Sequence, residues 1–170
     1  MEPSPRSPVS NEDVVATYDR LATLYDWFVA PFEAGTRRHA LDLLAVEPDE
    51  RVLEVGCGPG HALVELARLV DGTGRVVGLD AAPGMVDRAR QRAQRTGTND
   101  RIDLVLGDAR ALPIGDGAVD VVFVEDTLEL FSPDEARAVI DECHRVLGAD
   151  GRLAVLTMER EDAETDAFVR

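Results

Sequence analysis

From Arg51 onward, short segments rich in Val and Leu alternate with longer segments whose apolar residues recur at helical spacing. This alternation constrains the fold more than any other feature of the chain. The short segments are often apolar on both faces, which is typical of strands in a buried parallel sheet. Five strands are predicted, at 51–56, 75–80, 102–106, 119–124 and 152–157.

Helices are predicted between these strands, at about 60–70, 83–96 and 133–147. The last of them has the clearest start, with Ser132 as the cap, Pro133 in the first position and Glu135 completing a capping box. Gly148 is expected to end it. Because parallel strands are joined by right-handed crossovers, this order predicts a doubly wound, mostly parallel α/β sheet with helices on both faces.

The chain before the sheet has a different character. Residues 1–10 are rich in Pro and Ser and are expected to form a disordered arm. Ser10 then caps a helix, and a second helix is predicted at about 33–46. We therefore divide the chain into the arm, a helical segment at 11–47 and an α/β domain at 48–170.

Charge excludes two classes of partner. The net charge is −15, and all 18 basic residues are arginines. So acidic a surface repels nucleic-acid phosphates and anionic lipid heads, and it is typical of proteins adapted to high salt. The sequence contains no apolar run of the roughly 18 residues that a membrane span needs, and MEPSPRSPVS is not a signal peptide. A cytoplasmic location is predicted.

The two cysteines, Cys57 and Cys143, are far apart and lack the spacing of metal ligands. Neither a metal site nor a disulfide framework is therefore expected. Cys143 falls on the apolar face of a predicted helix and is assigned to the core. The three histidines, His39, His61 and His144, are expected at the surface.

The stretch VLEVGCGPGH, residues 52–61, ends the first strand with three glycines in five residues. Glycines between a strand and a helix let a ligand approach the backbone closely. Their spacing is GxGxG, whereas the dinucleotide fingerprint needs a third glycine at position 61, which is His61. A Walker loop is excluded because the sequence has no lysine.

Two acids follow at the ends of the next strands. Asp80 closes the second strand and can accept hydrogen bonds from both hydroxyls of a ribose. Asp108 follows the third strand and can accept from an exocyclic amine such as that of adenine. A glycine cradle, a ribose acceptor and an amine acceptor on adjacent strand ends together indicate an adenosine site.

This arrangement resembles the class I S-adenosylmethionine-dependent methyltransferases, and most closely the group with the ubiquinone/menaquinone-biosynthesis and phosphatidylethanolamine N-methyltransferase-like enzymes. The resemblance implies S-adenosylmethionine as cofactor, a Rossmann-like sheet of strand order 3-2-1-4-5, and a small-molecule or lipid-like methyl acceptor. The matching segments are YDRLATLYD (18–26), VLEVGCGPG (52–60), VVGLD (76–80), GDARALP (107–113), VDVVFVEDTLEL (119–130) and the RVLGADGRL hairpin (145–153).

The resemblance also implies roles for individual residues. Asp80 would hold the ribose, Asp108 and Ala109 the adenine edge, and Ala81 and Leu112 would be apolar walls. The 11–47 segment would be a lid, with Tyr18 or Tyr25 facing the site. The residues around the methionine part would be Glu54, Gly56, Cys57, Gly58 and Gly60. Without a ligand, the glycines would simply form a tight turn and Asp80 would be a helix-capping acid.

A sulfonium is an activated methyl donor, so transfer needs mainly positioning and exclusion of water. A neutral amine acceptor needs no strong base, whereas a phenol or ring carbon must lose a proton. Glu125 and Asp126, just past the fourth strand, are the candidate bases. The alternative is that both are ordinary solvated loop acids.

The family usually continues after the fifth strand with a helix and a two-stranded hairpin, but here 13 residues follow Thr157. We therefore expect a domain truncated at its C-terminus, with the fifth strand left as an apolar edge that promotes self-association. The alternative is a partner chain that covers this edge. Two other functions stay open: a regulatory protein that binds the cofactor without catalysis, and an NAD-dependent oxidoreductase, which His61 disfavours.

Overall fold

The computed structural model describes residues 30–157, with side chains from residue 34. The predicted arm, the helix after Ser10, Tyr18 and Tyr25 lie outside the described residues. Within them, helices and strands alternate as expected, and a single 3-10 turn (Leu128–Leu130) follows the fourth strand. The elements are α1 (Ala30–Leu44), β1 (Arg51–Val55), α2 (His61–Leu69), β2 (Arg75–Asp80), α3 (Pro83–Thr96), β3 (Ile102–Leu106), β4 (Val119–Glu125), α4 (Pro133–Val146) and β5 (Leu147–Leu156).

The five strands form one parallel sheet with β1 at its centre. Their order is β3-β2-β1-β4-β5. Leu53 of β1 pairs with Val77 of β2 on one side and with Val122 of β4 on the other. The predicted doubly wound fold and its strand order are thus confirmed. Because all strands run in one direction, the loops after β1 to β4 meet at one edge of the sheet.

Helices bury both faces of the sheet. Side chains alternate along a strand, so Val52 and Glu54 of β1 face one layer and Leu53 and Val55 face the other. The first layer contains α1, α2 and α3, and its buried core includes Leu41, Leu44, Val52, Leu63, Leu66, Ala89, Val121 and Phe123. The second layer contains α4, and its core includes Leu53, Val55, Val122, Val124, Val139, Cys143 and Val146.

Cys143 is fully buried in the second core, as predicted. Burial raises the pKa of its thiol to about 11. The thiolate is therefore scarcely populated at neutral pH, and Cys143 acts as a small apolar side chain.

The predicted bounds of one helix and the predicted start of another are confirmed. Helix α3 has its predicted bounds, with Pro83 in its first turn and Gly97 in the left-handed region (φ 68°) at its end. The capping box of α4 is also present. The hydroxyl of Ser132 accepts from the amide of Glu135 at 3.4 Å, and the Glu135 carboxylate accepts from the amide of Ser132 at 3.1 Å.

The start of β5 is where the prediction was wrong. Gly148 does not end α4, and no hairpin separates 145 from 153; Leu147 is already extended (φ −72°, ψ 137°) and β5 begins there. Leu147 pairs with Val119 and Arg152 with Val121, so the residues between them bulge out of the ladder. Since Leu147 passes directly from helix to strand, no left-handed glycine is needed at this junction.

Among residues 30–157, no helix combines the length and apolarity that crossing a membrane requires. The cytoplasmic location stays a prediction.

Candidate cofactor site at the carboxyl ends of the strands

The glycine loop connects β1 to α2 and is bonded to the end of β2. The amides of Gly56 and Cys57 both donate to the carbonyl of Leu79, at 2.8 and 2.9 Å. Gly56, Gly58 and Gly60 all have positive φ, at 73°, 50° and 82°. The loop therefore uses three left-handed residues to turn within a few positions, which glycine does with little strain.

The three glycines meet different surroundings. A Cβ at Gly56 would lie 2.2 Å from the Thr127 hydroxyl oxygen, and one at Gly60 would lie 3.0 Å from the Cα of Ala89. Among residues 30–157, a Cβ at Gly58 would meet nothing within 4 Å. Packing within the protein thus explains why positions 56 and 60 are glycines, whereas the side of the loop at Gly58 is open.

Asp80 is in direct contact with this loop. One carboxylate oxygen accepts from the amide of Gly58 at 2.8 Å, and the other accepts from the amide of Ala82, the N-terminal cap of α3, at 2.8 Å. The helix-capping role is therefore present. Each carboxylate oxygen has a second lone pair, so the same group can still accept from hydroxyls. Ala81, beside it, is exposed.

Asp108 lies exposed after β3 and is held by Arg110. The backbone amide of Arg110 donates to it at 2.9 Å, and two guanidinium nitrogens donate at 3.0 and 2.6 Å. Hydrogen bonds from Arg110 lower the pKa of the Asp108 carboxyl. The same guanidinium pairs with Glu135 and lies 5.9 Å from the ring centre of Phe131.

Ala109 and Leu112, proposed for the adenine edge and an apolar wall, are buried in the core on the α4 side. The amide of Leu112 donates to the Glu142 carboxylate at 2.7 Å. The structure thus places the side chain of Leu112 in the interior, and that of Ala109 beside it. Any contact between Ala109 and a ligand would be made through its backbone.

Glu54 is buried on β1, directly before the glycine loop. Its exposed fraction is 2%, and its Oε2 atom makes no hydrogen bond within the described part of the chain. Burial, and then the nearby charge of Glu125, raise the pKa of Glu54 well above its ordinary value. The Cys57 side chain is also buried, and the same effect of burial raises the pKa of its thiol.

Glu125 is the last residue of β4, not a loop residue as predicted. Its carboxylate accepts from Arg37 of α1 at 3.1 and 3.3 Å, and Arg37 also bonds Glu65 of α2 at 3.3 Å. Arg37 is only 3% exposed. Burial alone would lower the pKa of Arg37, but the two carboxylates outweigh burial and raise it.

Asp126 follows in a half-buried loop position with φ of 45°. A left-handed aspartate is uncommon and costs about 1 kcal/mol or more, so the surroundings must hold it there. Its amide donates to the carbonyl of Leu156 at 2.9 Å. The Thr127 hydroxyl next to it donates to the carbonyl of Glu125 at 2.7 Å.

Two arginines at this edge were not singled out from the sequence. Arg37 shares the buried face of α1 with Leu41 and Leu44, and this i, i+4, i+7 spacing is a signal that could have identified it. Arg92 of α3 donates to the carbonyl of Pro59 at 2.8 Å and lies 3.0 Å from the Nδ1 atom of His61. No local pattern indicates that contact.

His61 is half-buried at the start of α2, whereas His39 and His144 are exposed as predicted. Within residues 30–157, no cluster of three His, Cys, Asp or Glu side chains could hold a metal ion.

The carboxyl ends of the strands thus carry groups that could bind an adenosine with a cationic substituent. The open backbone at Gly58 lies against Asp80, and the unbonded oxygen of Glu54 lies on the strand that leads into the loop. This donor and acceptor set fits the predicted cofactor.

Comparison with known proteins agrees with the fold. A family model described as a methyltransferase domain matches residues 52–151, which include the glycine loop, Asp80, Asp108 and Glu125. The chain belongs to this methyltransferase family. The predicted class, with S-adenosylmethionine as its cofactor, is thereby confirmed.

Individual relatives cover most of this chain. A demethylmenaquinone methyltransferase from Lactobacillus johnsonii is 31% identical over 87% of this chain and 62% of its own length. An aklanonic acid methyltransferase from a Streptomyces species is 32% identical over 69% of this chain and 56% of its own. The crystal structure of the [4+2]-cyclase SpnF has a TM-score of 0.73 and 27% identity, over 89% of this chain and 61% of that one. The chain thus spans less than two thirds of each of these proteins.

Proposed function

We propose that the chain is the cofactor-binding part of an S-adenosylmethionine-dependent methyltransferase that acts on a small-molecule or lipid-like acceptor. The observation that carries this proposal is the contact of Asp80 with the Gly58 amide. This contact supports the proposal, because a carboxylate beside the open side of a glycine loop could accept hydrogen bonds from ribose hydroxyls. No nucleic-acid partner is proposed, because the net charge of −15 opposes one.

Each part of the cofactor would have its own protein groups. Asp80 would accept from the ribose hydroxyls, and the backbone at Gly56, Gly58 and Gly60 would lie along the methionine part with Glu54 below it. The end of β3, at Asp108 and Ala109, would bind the adenine edge. When bound, the cofactor supplies an activated methyl group, so the protein mainly orients the acceptor and excludes water.

Of the two candidate bases, we favour Asp126. The carboxylate of Glu125 already accepts two hydrogen bonds from Arg37, so a proton on it would oppose that pairing. Asp126 lies one residue further along, and its backbone is held in an uncommon conformation. Such strain clusters at functional sites. An amine acceptor would need neither residue as a base.

The acceptor is best sought among quinone-like and polyketide-like small molecules. Two relatives are named for acceptors of these kinds: a demethylmenaquinone methyltransferase and an aklanonic acid methyltransferase. The part of the 11–47 segment that precedes α1 would form the lid over such an acceptor, with Tyr18 or Tyr25 facing the site, since α1 itself is packed in the core through Leu41 and Leu44. Turnover on a panel of these compounds would separate this function from the alternative of a regulatory protein that binds the cofactor without catalysis.

Replacing Asp80 by alanine tests the proposed function. The expected result is a loss of about 1–3 kcal/mol in S-adenosylhomocysteine binding, because two ribose hydroxyls lose an ionised acceptor. Calorimetric titration measures it, with circular dichroism to establish that the variant is folded. Asp103→Asn is the matched control, since Asp103 is exposed on β3 away from the loop. Unchanged affinity in folded Asp80→Ala would contradict the ribose role.

Self-association through β5 is a further part of the proposal. Among the described strands β5 pairs with β4 alone, and its side chains Leu153 and Val155 are 37% and 42% exposed. Unpaired strand edges with apolar side chains pair readily with other edges. We expect the chain to elute above its monomer mass in size-exclusion chromatography and Val155→Lys to shift it toward the monomer. A monomer at all concentrations would contradict this.

A further inference from the structure

Glu54 is an unusual residue for the centre of a parallel sheet. It lies on β1, has strands on both sides and faces the layer of α1, α2 and α3. Its exposed fraction is 2%, and its Oε2 atom makes no hydrogen bond within residues 30–157. A buried carboxylate is normally paired with a cation or with several N–H groups, and an apolar residue would pack here without that need.

The charges around Glu54 come from four elements. Those that act on it most strongly are Glu125 at the end of β4, Arg37 on α1, Asp80 at the end of β2 and Glu65 on α2. Three carboxylates therefore oppose one guanidinium. That guanidinium is already bonded to Glu125 and Glu65, at 3.1 and 3.3 Å. A negative charge on Glu54 is thus poorly compensated before a ligand binds, which agrees with the raised pKa of its carboxyl.

We propose that Glu54 makes cofactor binding proton-linked: its carboxyl is protonated in the ligand-free protein and releases that proton to solvent when a ligand ammonium enters. The step breaks the O–H bond of the carboxyl and transfers the proton to the buffer. The carboxylate that remains pairs with the ammonium. The inference depends on the proposed function, because S-adenosylmethionine and S-adenosylhomocysteine both carry an α-ammonium.

The direction of the linkage follows from the charges. Without ligand, burial and three carboxylates favour the neutral acid, so the pKa is high. With an ammonium beside it, the charged form is favoured and the pKa falls. Between these two values, binding releases a proton, and affinity therefore increases with pH across that window.

The ligand-free protein offers a second readout. A carboxyl with a raised folded-state pKa contributes stability that is complete below its unfolded value, near 4.3, and is lost as pH rises through the folded value. Glu54→Gln has nearly the same shape and cannot ionise. Its melting temperature relative to wild type should therefore increase as pH rises above about 4.3, until the wild-type carboxyl ionises in the folded protein. Asp141→Asn, an exposed acid on α4, should show no such trend.

Isothermal titration calorimetry tests the linkage itself. S-adenosylhomocysteine is titrated into the 170-residue chain at pH 7 in phosphate and in Tris at equal ionic strength. Wild type should release up to about one proton per ligand, seen as a binding enthalpy that depends on the buffer. The ligand 5′-methylthioadenosine, which has the adenosine part but no ammonium, should give the same enthalpy in both buffers. The α-ammonium of S-adenosylhomocysteine is already protonated in solution at pH 7 and stays protonated beside a carboxylate, so a proton released with this ligand but not with 5′-methylthioadenosine comes from the protein. Loss of that release in Glu54→Gln assigns the proton to Glu54.

The outcomes separate this inference from the function on which it depends. If S-adenosylhomocysteine binds with equal enthalpies in both buffers, or if Glu54→Gln releases as many protons as wild type, the inference is wrong. The comparison of the two ligands needs no variant and decides the point even if Glu54→Gln does not fold. If neither ligand binds, the proposed function fails, and parallel melting profiles of Glu54→Gln and wild type would then overturn the protonated carboxyl as well.

Discussion

Replacing Gly56 by alanine should destabilise the protein by about 3 kcal/mol or more, a drop of roughly 10 °C in melting temperature. The new Cβ would lie 2.2 Å from the hydroxyl oxygen of Thr127 and 2.7 Å from its methyl group. Thr127 is buried and bonded to the carbonyl of Glu125, so it cannot move aside easily. The residue would also keep a φ of 73°, which is strained for alanine. Thermal or urea unfolding measures the effect.

Gly58→Ala is the matched control in the same loop. Its φ is also positive, at 50°, but a Cβ there would meet no atom of the described part of the chain within 4 Å. Stability should therefore fall by only about 1 kcal/mol, from backbone strain. Cofactor affinity should fall at least tenfold, because the methyl group occupies the side on which the ligand would lie. Equal losses of stability in the two variants would show that packing against Thr127 is not the reason why position 56 requires glycine.

Arg37→Met should cost about 3–5 kcal/mol of stability, because it leaves two carboxylates without their cation. Arg37 is 3% exposed, and the side chains of its partners Glu125 and Glu65 are 11% and 28% exposed. Methionine keeps the apolar stem, so the loss reports mainly on charge. Denaturant unfolding at constant ionic strength measures it.

The comparison for Arg37 is an exposed ion pair of the same kind. Arg51 and Asp120 pair at 3.1 Å with side chains 54% and 36% exposed, so Arg51→Met should cost at most about 1 kcal/mol. Adding Glu125→Gln to Arg37→Met should recover part of the lost stability. Similar effects of the two arginine variants, or no recovery, would mean that the buried charges are compensated in another way.

Local signals account for what the sequence predicted well. Pro83 and Gly97 define the two ends of α3, and Ser132 with Glu135 defines the start of α4. Largely apolar segments of five or six residues predicted the strands, because a parallel sheet buries both faces of each strand. The start of β5 could not be predicted in this way. Gly148 has the local appearance of a helix end, and only pairing with β4 decides that the chain is already extended at Leu147.

The candidate site divides in the same way. The glycine spacing and the acid at the end of β2 are local patterns, and they predicted two groups that the structure brings into contact, Gly58 and Asp80. The pairing of Arg37 with Glu125 joins residues 88 positions apart, and that of Arg92 with Pro59 joins residues 33 apart. Such contacts depend on how α1 and α3 lie over the sheet, which no short stretch of sequence encodes. The burial of Leu112 has the same origin.

The bonds that hold the glycine loop have a consequence for how ligands are selected. The amides of Gly56 and Cys57 are bonded to Leu79, and that of Gly58 is bonded to Asp80, all within the protein itself. Association therefore has little backbone entropy to overcome at this loop, since its conformation is preorganised. We expect the rate of ligand association at this loop to be set by diffusion and charge rather than by a rearrangement of the loop backbone. Selection among ligands at this loop would then depend on how well their shape matches a backbone that is already formed.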